Sequence, residues 1–277
     1  RIGAAVTMAD LAIVIQKIHP SYAELIRRYG SEQVRQAATI GGNVANVMLH
    51  VPYDSEFACR VEQVVFTGQY HVEDIAIPLE ENRITEARAA VSLIVGRNPE
   101  TLDRAGIGRA AIESLAENTS DGIVAPIFWG AVLGIPGIFA YKAINTLDSM
   151  IGYKTKRHFH FGWASARIDD IANFIPARMT GWLFALTSGN RKQALAVMSF
   201  DAKKHRSPNA GWPEAAMAGA LGVRISGPRV YGTGQSNDPW LNENGREVVA
   251  ADVTKSLSLF KRAMYGLAAI LALLTFV

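Results

Sequence analysis

The sequence predicts a mainly α-helical integral membrane protein with irregular or re-entrant segments and a small mixed segment at its N-terminus. Three observations carry this prediction. Only 19% of the 277 residues are charged, and the mean hydropathy is +0.11, whereas about a quarter of an average soluble domain is charged. Ile123–Tyr141 is a run of 19 uncharged residues, and the chain ends in 15 uncharged residues after Arg262. Both runs approach the roughly 20 residues that cross a bilayer core as a helix.

Before the first apolar run, the chain has a mixed, soluble character. Residues 1 to about 70 combine a short amphipathic helix, for which Thr7 is a suitable N-cap, with a Gly41–Gly42 turn. From Glu80 to Leu115 apolar residues recur at helical spacing. The stretch GRNPETLDRAG interrupts this pattern, so we expect two helices there.

The first apolar run is not an ordinary helix. Pro126 and Pro136 interrupt it, so we expect a broken or re-entrant segment. A second apolar stretch, around residues 171–190, contains Arg178, which leaves 12 uncharged residues or roughly 18 Å of helix. Because this length is short for a simple crossing, we interpret the stretch as re-entrant, interfacial or buried.

Cationic loops on both sides of this second stretch indicate an orientation. One loop contains Lys154, Lys156 and Arg157, and the other begins with Arg191 and Lys192. Loops rich in Lys and Arg stay on the cytoplasmic side of a membrane. We therefore expect a multi-pass protein of the cell (inner) membrane with its basic loops in the cytoplasm.

The composition also narrows the functional classes. The net charge is +3, and the basic residues are scattered among acids, so no nucleic-acid surface is expected. The single cysteine, Cys59, excludes an internal disulfide framework and a Cys-rich zinc site. The sequence contains no nucleophile triad, Walker A loop or zinc-ligand motif.

Acidic residues crowd together just before the first apolar run. Glu113 and Glu117 stand four residues apart on one helix face, and Asn118 and Asp121 follow. Like charges at this spacing form either a solvated face or a cation site. The apolar neighbour favours the cation site, because carboxylates at membrane depth are costly unless they are paired or used.

Two further polar groups follow the apolar run. Asn145 and Asp148 lie three residues apart, a spacing that suits a shared Mg²⁺ or a substrate amide but also a helix cap. In ARIDDIANFIPAR, adjacent acids and an amide suit a hard cation, and the arginines suit phosphate or carboxylate. An internal Arg–Asp ion pair explains the same residues nearly as well.

The stretch DAKKHRSPNAGWPEAAMAGALGV is the richest in candidate functional residues. Pro208 and Pro213 predict a rigid turn, with Pro213 at the first position of the following helix. Lysines and backbone donors at a helix N-terminus hold phosphate groups well, although a histidine such as His205 is more often a surface residue. Small residues four apart, such as Ala215 and Gly219, allow close helix packing. Together, these patterns indicate a membrane-associated enzyme that acts on an anionic ligand with Mg²⁺.

The resemblance to a known family is carried by three long motifs. They are AAIESLAENTSDGIVAPIFWGAVLGIPGIFAYKAINTLDSMIGY, FGWASARIDDIANFIPARM and DAKKHRSPNAGWPEAAMAGALGVRISGP. These motifs resemble, in the right order, the CobD/CbiB cobalamin biosynthesis family, the adenosylcobinamide-phosphate synthases. The resemblance implies a multi-pass membrane enzyme that joins aminopropanol, or its phosphate, by an amide bond to a free carboxylate of adenosylcobyric acid. It also implies that ATP is a substrate and that Mg²⁺ takes part in the reaction. The lipid bilayer and other corrinoid-pathway enzymes are the implied partners.

The implied reaction suggests roles for the polar residues. It needs groups that bind Mg²⁺ or the amine, groups that hold phosphate or carboxylate, and groups that contact corrinoid amides. The catalytic candidates are Glu117, Asp121, Asp148, Asp170, Lys203 and His205. The substrate-binding candidates are Asn118, Asn145, Arg167, Asn173, Arg178, Lys204, Ser207, Asn209 and Glu214. The metal-binding candidates are Asp169 and Asp170.

The first 70 residues depart from this family, whose members normally begin with further membrane helices. Residues 1–46 resemble a fragment of the FAD-binding domain of molybdenum hydroxylases such as xanthine dehydrogenase, through RIGAAVTMADL and RRYGSEQVRQAATIGGNVAN. Residues 47–70 resemble no family, and residues 71–277 form the family-like membrane domain. The missing helices raise the expectation of an inactive chain. Because the other elements of a flavin domain are missing, we do not expect bound FAD.

Two alternative functions remain open. One is a non-catalytic, AmpE-like membrane protein associated with signalling, which has a similar scaffold. The other is a flavoprotein fragment, which a yellow chromophore in the purified protein would support. Rescue of a vitamin B12 auxotroph separates an enzyme from the AmpE-like protein.

Overall fold

The computed structural model describes residues 72–95, 99–151, 159–231 and 234–274, and within these ranges the chain is mainly helical, as predicted. In chain order the helices are α1 (residues 72–80), α2 (Ile84–Ser92), α3 (Arg104–Thr119), α4 (Ala125–Ile151), α5 (Phe159–Ala172), α6 (Phe174–Thr187), α7 (Arg191–Asp201), α8 (Gly211–Leu221) and α9 (Ala250–Leu274). A π-helical turn at Ser120–Val124 joins α3 to α4, and short 3₁₀ turns lie at Pro99–Thr101 and Ala202–Lys204. The predictions for the N-terminal segment, including the flavin-domain fragment, lie outside the described residues.

These helices belong to two compact units. Among the described residues, the first unit is Ala125–Ala172 and contains α4 and α5. The second unit combines the described parts of Phe66–Val124 and Asn173–Val277 and contains the other helices.

In the first unit, α4 is broken in its middle, as predicted from Pro136, whereas Pro126 lies in the first turn of this helix and does not interrupt it. Gly134 has φ 66° and ψ −153°, a conformation that only glycine adopts readily, and Pro136 follows it. The two parts of α4 pack with α5 around buried Tyr141. The indole Nε1 of Trp129 donates to the carbonyl oxygen of Ala172 at 3.0 Å and ties α4 to the end of α5.

In the second unit, α8 packs against both α6 and α7. Its small residues Ala215, Ala216, Ala218 and Gly219 are all buried. A Cβ atom added at Gly219 would lie 2.8 Å from the carbonyl oxygen of Gln193 on α7. The close helix packing predicted from the small residues is therefore confirmed.

α3 and α9 complete the second unit, and α9 packs against both α3 and α6. α3 begins at a side-chain cap, in which Asp103 Oδ1 accepts the backbone N–H of Gly106 at 2.7 Å. At the start of α9, the buried carboxylate of Asp252 accepts two hydrogen bonds from the Arg246 guanidinium, one of them 2.6 Å from Nη2 to Oδ1. This pair fixes the segment that leads into α9.

A β-ribbon that the sequence did not predict connects α8 to α9. β1 (Ile225–Ser226) pairs antiparallel with β4 (Trp240–Leu241), and β2 (Arg229–Tyr231) pairs antiparallel with β3 (Gly234–Ser236). Strands of two or three residues are too short to show an alternating apolar pattern.

Two helical stretches, Arg104–Ser149 and Ala250–Leu273, are long and apolar enough to cross a membrane by length and composition. About two thirds of the most apolar part of the first stretch, and somewhat less of the second, is not buried within the chain. These stretches contain the first apolar run and residues 263–273 of the second, and they agree with the predicted mainly helical membrane protein. The stretch around Arg178 forms α6, whose 14 residues span about 21 Å. About half of these residues are buried, so a buried helix is one of the predicted forms that agrees with the structure.

Candidate active site

An acidic pocket lies in the second unit, between α3, α8, the turn after α7 and the β-ribbon. It has a volume of about 150 Å³. Its walls are formed by Glu113, Glu117, His205, Arg206, Ser207, Ala210, Glu214 and Asp238. The fold thus brings together four of the predicted site residues, Glu117, His205, Ser207 and Glu214.

Hydrogen bonds of Ser207 hold the turn between α7 and α8. Its Oγ accepts the backbone N–H groups of Asn209 at 3.3 Å and of Ala210 at 3.2 Å. Its own N–H donates to Nδ1 of His205 at 3.0 Å. A serine at this position before a helix satisfies backbone donors that have no partner inside the helix. These hydrogen bonds hold the turn and fix the position of the His205 ring.

The helix after this turn starts earlier than predicted. α8 begins at Gly211, so the prediction that Pro213 is its first residue is wrong by two positions. Proline is tolerated in the first turn of a helix because the N–H groups there have no intrahelical acceptor.

Carboxylates dominate the pocket walls, and two of them are buried. Glu113 is 6% exposed and Glu214 is 2% exposed. The Nε2 atom of His205 lies 3.8 Å from Oε1 of Glu214. The pocket walls contain four carboxylates and one arginine, so their net charge is negative and they attract a small ligand that carries a positive charge, such as an ammonium group.

The two lysines of the turn lie outside the pocket walls. The Nζ atom of Lys204 is 2.7 Å from Oδ1 of Asp201, and Lys203 is exposed. Oδ2 of the buried Asp201 accepts the N–H of Asn242 at 2.7 Å. Asp201 therefore joins the turn to the base of the β-ribbon, and Lys204 takes part in this structural contact.

The predicted residues Arg178 and Asn209 meet beside the turn. The guanidinium carbon of Arg178 lies 3.6 Å from the ring centre of Phe174 and 4.6 Å from that of Trp212. Its Nη1 is 3.3 Å from Oδ1 of Asn209. Burial lowers the pKa of Arg178 from its ordinary value. Stacking on two aromatic rings holds the guanidinium in place next to the turn.

The first unit holds a separate set of predicted residues. Nη1 of Arg167 is 3.3 Å from Oδ2 of Asp170, and Asp148 lies near the end of α4 in the same unit. Burial raises the pKa of the Asp170 carboxyl, and Arg167 opposes this shift. The carbonyl of Asn145 accepts the Ser149 hydroxyl at 2.8 Å.

The predicted Mg²⁺ ligands Asp169 and Asp170 also lie in the first unit, in α5. Within the ranges that the structure describes, no group of three or more His, Cys, Asp or Glu side chains is placed to hold a metal ion. The magnesium site therefore stays a prediction.

Three other predicted residues lie outside the pocket walls. Asn118 is exposed at the end of α3, where its Nδ2 donates to the Ser114 hydroxyl at 3.0 Å. Asp121 lies in the π-helical turn, and the buried Asn173 directly precedes α6. Their roles in substrate binding or catalysis remain predictions.

Sequence reasoning missed two charged residues of the pocket walls and undervalued a third. Arg206 belongs to the basic run before Ser207, which was a usable signal. Asp238 lies in the β-ribbon, where its Oδ2 accepts the Ser236 hydroxyl at 2.7 Å, and no local pattern indicated it. For Glu113, the sequence pattern indicates only that it shares a helix face with Glu117.

Comparisons with known proteins agree on one family. The family model described as CobD/Cbib protein matches residues 67–260. The chain is 61% identical over 203 residues to the cobalamin biosynthesis protein CobD of Rhodobacter capsulatus, a match that covers 73% of this chain and 65% of that protein. It is 55% identical over 201 residues to CobD of Brucella suis biovar 1, covering 70% of this chain and 62% of the relative.

A third relative aligns with a slightly longer part of the chain. The chain is 51% identical over 213 residues to CobD of Sinorhizobium fredii, with 74% of this chain and 65% of the relative covered. The chain therefore spans less than two thirds of the length of these curated relatives. No solved structure matches it.

Proposed function

Because the chain belongs to the CobD/CbiB protein family, we propose that it acts in cobalamin biosynthesis as an amide-forming enzyme. The amine of aminopropanol, or of its phosphate, attacks the activated free carboxylate of adenosylcobyric acid. The product is adenosylcobinamide or its phosphate.

The acidic pocket is the observation that carries this proposal. Its volume of about 150 Å³ is that of a cavity which holds a molecule the size of benzene. A small amino alcohol has this size, whereas a corrin ring is far larger and would present only its carboxylate arm at the pocket mouth. The carboxylates of Glu113, Glu117 and Glu214 supply the negative charge that an ammonium group needs.

The proposed reaction requires activation of the corrinoid carboxylate, because a free carboxylate is a poor acyl donor. Transfer of the γ-phosphoryl group of ATP to the carboxylate oxygen gives an acyl phosphate and ADP. The amine nitrogen then forms the C–N bond while the C–O bond to phosphate breaks, and inorganic phosphate leaves. Cations stabilise the negative charge that develops in such a step, and Arg206 is a cation in the pocket wall.

Mg²⁺ is part of the proposal as the usual companion of ATP. It typically keeps several waters and binds through one or two carboxylates together with substrate phosphates. Asp169 and Asp170 are the candidate carboxylates, and the bound ion would neutralise phosphate charge. FAD has no part in this reaction.

The proposed location is the inner membrane, with several crossings and with the basic loops in the cytoplasm. The two stretches that are long and apolar enough to cross a bilayer support this location. The lipid bilayer and other enzymes that handle corrinoids are the proposed partners.

The direct test is amide formation by the purified full chain in detergent. The chain is incubated with isotope-labelled aminopropanol or its phosphate, adenosylcobyric acid, ATP and Mg²⁺, and label in the corrinoid fraction is measured. We expect Glu117→Gln to lower incorporation about 10- to 100-fold, as for the loss of a charged hydrogen bond. Glu243→Gln is the matched control, because Glu243 is exposed and is not part of the pocket wall.

Growth of a cobalamin auxotroph that lacks its own gene of this family provides a second readout. A wild-type chain that neither incorporates the amine nor restores growth, while a full-length relative does both under the same conditions, contradicts the proposal.

A further inference from the structure

The backbone of the turn favours one tautomer of the His205 ring. Its Nδ1 lies 3.0 Å from the nitrogen and 3.3 Å from the carbonyl oxygen of Ser207. A backbone N–H group only donates, so the shorter contact favours Nδ1 as an acceptor without a proton. In this tautomer the neutral ring carries its proton on Nε2.

In this tautomer the ring nitrogen that lies near Glu214 carries the proton. Nε2 of His205 is 3.8 Å from Oε1 of Glu214, and the two side chains are 14% and 3% exposed. The distance is longer than a hydrogen bond, but contacts in unliganded active sites often tighten when substrate binds. The other charged groups of the pocket wall are Glu113, Glu117, Arg206 and Asp238.

In this tautomer His205 is a poor proton acceptor for a ligand in the pocket. Nε2 already carries a proton, and the lone pair of Nδ1 is engaged by the N–H of Ser207. An amine that arrives as an ammonium ion must lose a proton before its nitrogen can attack a carbonyl carbon. The buried carboxylate of Glu214, which lies 3.8 Å from Nε2 of His205, can accept this proton.

We propose that Glu214 is the base that deprotonates the amine and that His205 is a positioning residue, which orients the Glu214 carboxylate through Nε2–H. In the step, an N–H bond of the ammonium group breaks and its proton moves to a Glu214 oxygen, which leaves the nitrogen lone pair free to attack. The inference rests on the proposed function for the identity of the ligand, whereas the tautomer of His205 does not depend on it.

The tautomer of the His205 ring can be measured by NMR in the absence of substrates. ¹⁵N-histidine is incorporated into the full chain in detergent, and the His205 ring signals are assigned by their loss in His205→Gln. We expect a neutral ring protonated on Nε2. Ser207→Pro removes the N–H donor and should release this preference, whereas Ser207→Ala keeps the N–H and should preserve it. A wild-type ring protonated on Nδ1, or one that is unchanged in Ser207→Pro, overturns the proposal.

Activity variants separate the base from the positioning residue. Glu214→Gln should lower kcat/KM about 10²- to 10⁴-fold, the usual contribution of a general base, and should remove the acidic limb of its pH profile. His205→Gln places an amide N–H near the position of Nε2, so we expect a loss of only about tenfold and a retained acidic limb. His205→Asn places its amide near Nδ1 and should lose more.

The outcomes distinguish the two levels of the proposal. If the acidic limb disappears in His205→Gln and persists in Glu214→Gln, the roles are reversed and the inference fails while the proposed function stands. If the wild-type chain incorporates no amine, the proposed function fails, and with it the role of Glu214 as base.

Discussion

Oε1 of Glu113 accepts the backbone N–H of Ser226 at 2.8 Å, and both residues are buried. Ser226 has φ 63°, a left-handed conformation that is uncommon for a residue other than glycine. This contact joins α3 to β1 and holds the ribbon that carries Asp238 into the pocket wall. Glu113 thus contributes to the shape of the pocket as well as to its charge.

The contact predicts different outcomes for two substitutions of Glu113. Glu113→Ala removes the acceptor of a buried N–H group and should lower the free energy of unfolding by about 2 kcal/mol. Glu113→Gln keeps a carbonyl oxygen at the same position and should lose less than half of this amount. Denaturant unfolding in detergent measures both values. Equal losses in the two variants would show that charge, and not the hydrogen bond to Ser226, is what stabilises the ribbon.

The carboxyl of Asp170 is expected to reduce stability at neutral pH. Burial raises its folded-state pKa above the ordinary value of 3.8, with Arg167 opposing the shift. The folded state then binds more protons than the unfolded state as the pH passes from 3.8 to the raised pKa, so the free energy of unfolding falls across this window. Asp170→Asn should raise the melting temperature at pH 7 and give no gain below pH 3.8.

Thermal melts at several pH values test this prediction. Asp74→Asn is the control, because Asp74 is exposed and surface substitutions usually change stability by less than about 0.5 kcal/mol. A melting temperature of Asp170→Asn that equals or falls below that of the wild type at pH 7 contradicts it.

The helices and the apolar runs were predictable because their signals are local. The break at Gly134 follows from Pro136 and its glycine neighbours, and the close packing of α8 follows from its small residues. Such features depend on residues within a few positions of one another, so the sequence pattern contains them.

The pocket was only partly predictable because its walls depend on contacts between distant residues. Glu117, His205 and Glu214 were recognisable as polar residues beside apolar helices. Asp238 was not, because the position of its ribbon depends on the bonds from Ser226 to Glu113 and from Asn242 to Asp201. The sequence around Glu113 or Asp201 does not indicate that its carboxylate accepts a backbone N–H group from a residue more than 40 positions away.

The exposed face of α9 is expected to contact lipid. Ile270 is half-exposed and lies in the middle of the uncharged run at residues 263–277. An arginine in the middle of a membrane helix costs about 3 kcal/mol on insertion scales, whereas at a water-exposed position it is nearly neutral. Ile270→Arg should therefore reduce the fraction of protein that remains in the membrane pellet after alkaline carbonate extraction.

Ser258→Arg is the matched control for this measurement. Ser258 is exposed on the same helix but closer to its polar N-terminal end, where we expect little change in extraction. If Ile270→Arg is retained as well as the wild type and the control, the face of α9 does not insert into lipid.

Gly211 packs tightly against the turn that carries His205, so a larger residue at this position should disturb the turn. A Cβ atom at Gly211 would lie 2.2 Å from the carbonyl oxygen of Ala202 and 2.6 Å from Cβ of His205. Gly211→Ala must therefore displace the turn, and overpacking of this kind costs about 1–3 kcal/mol. The amide-forming activity should fall further, by about 10²-fold, because a shift of about 1 Å in catalytic groups has that effect.

Gly189→Ala is the control, since no atom lies within 4 Å of its added Cβ. Alanine there should raise stability by about 0.4–1 kcal/mol by restricting the unfolded chain. Because both variants add one methyl group to a glycine in the second unit, a drop in activity confined to Gly211→Ala ties that activity to the position of His205, and equal activities would separate the turn from the reaction.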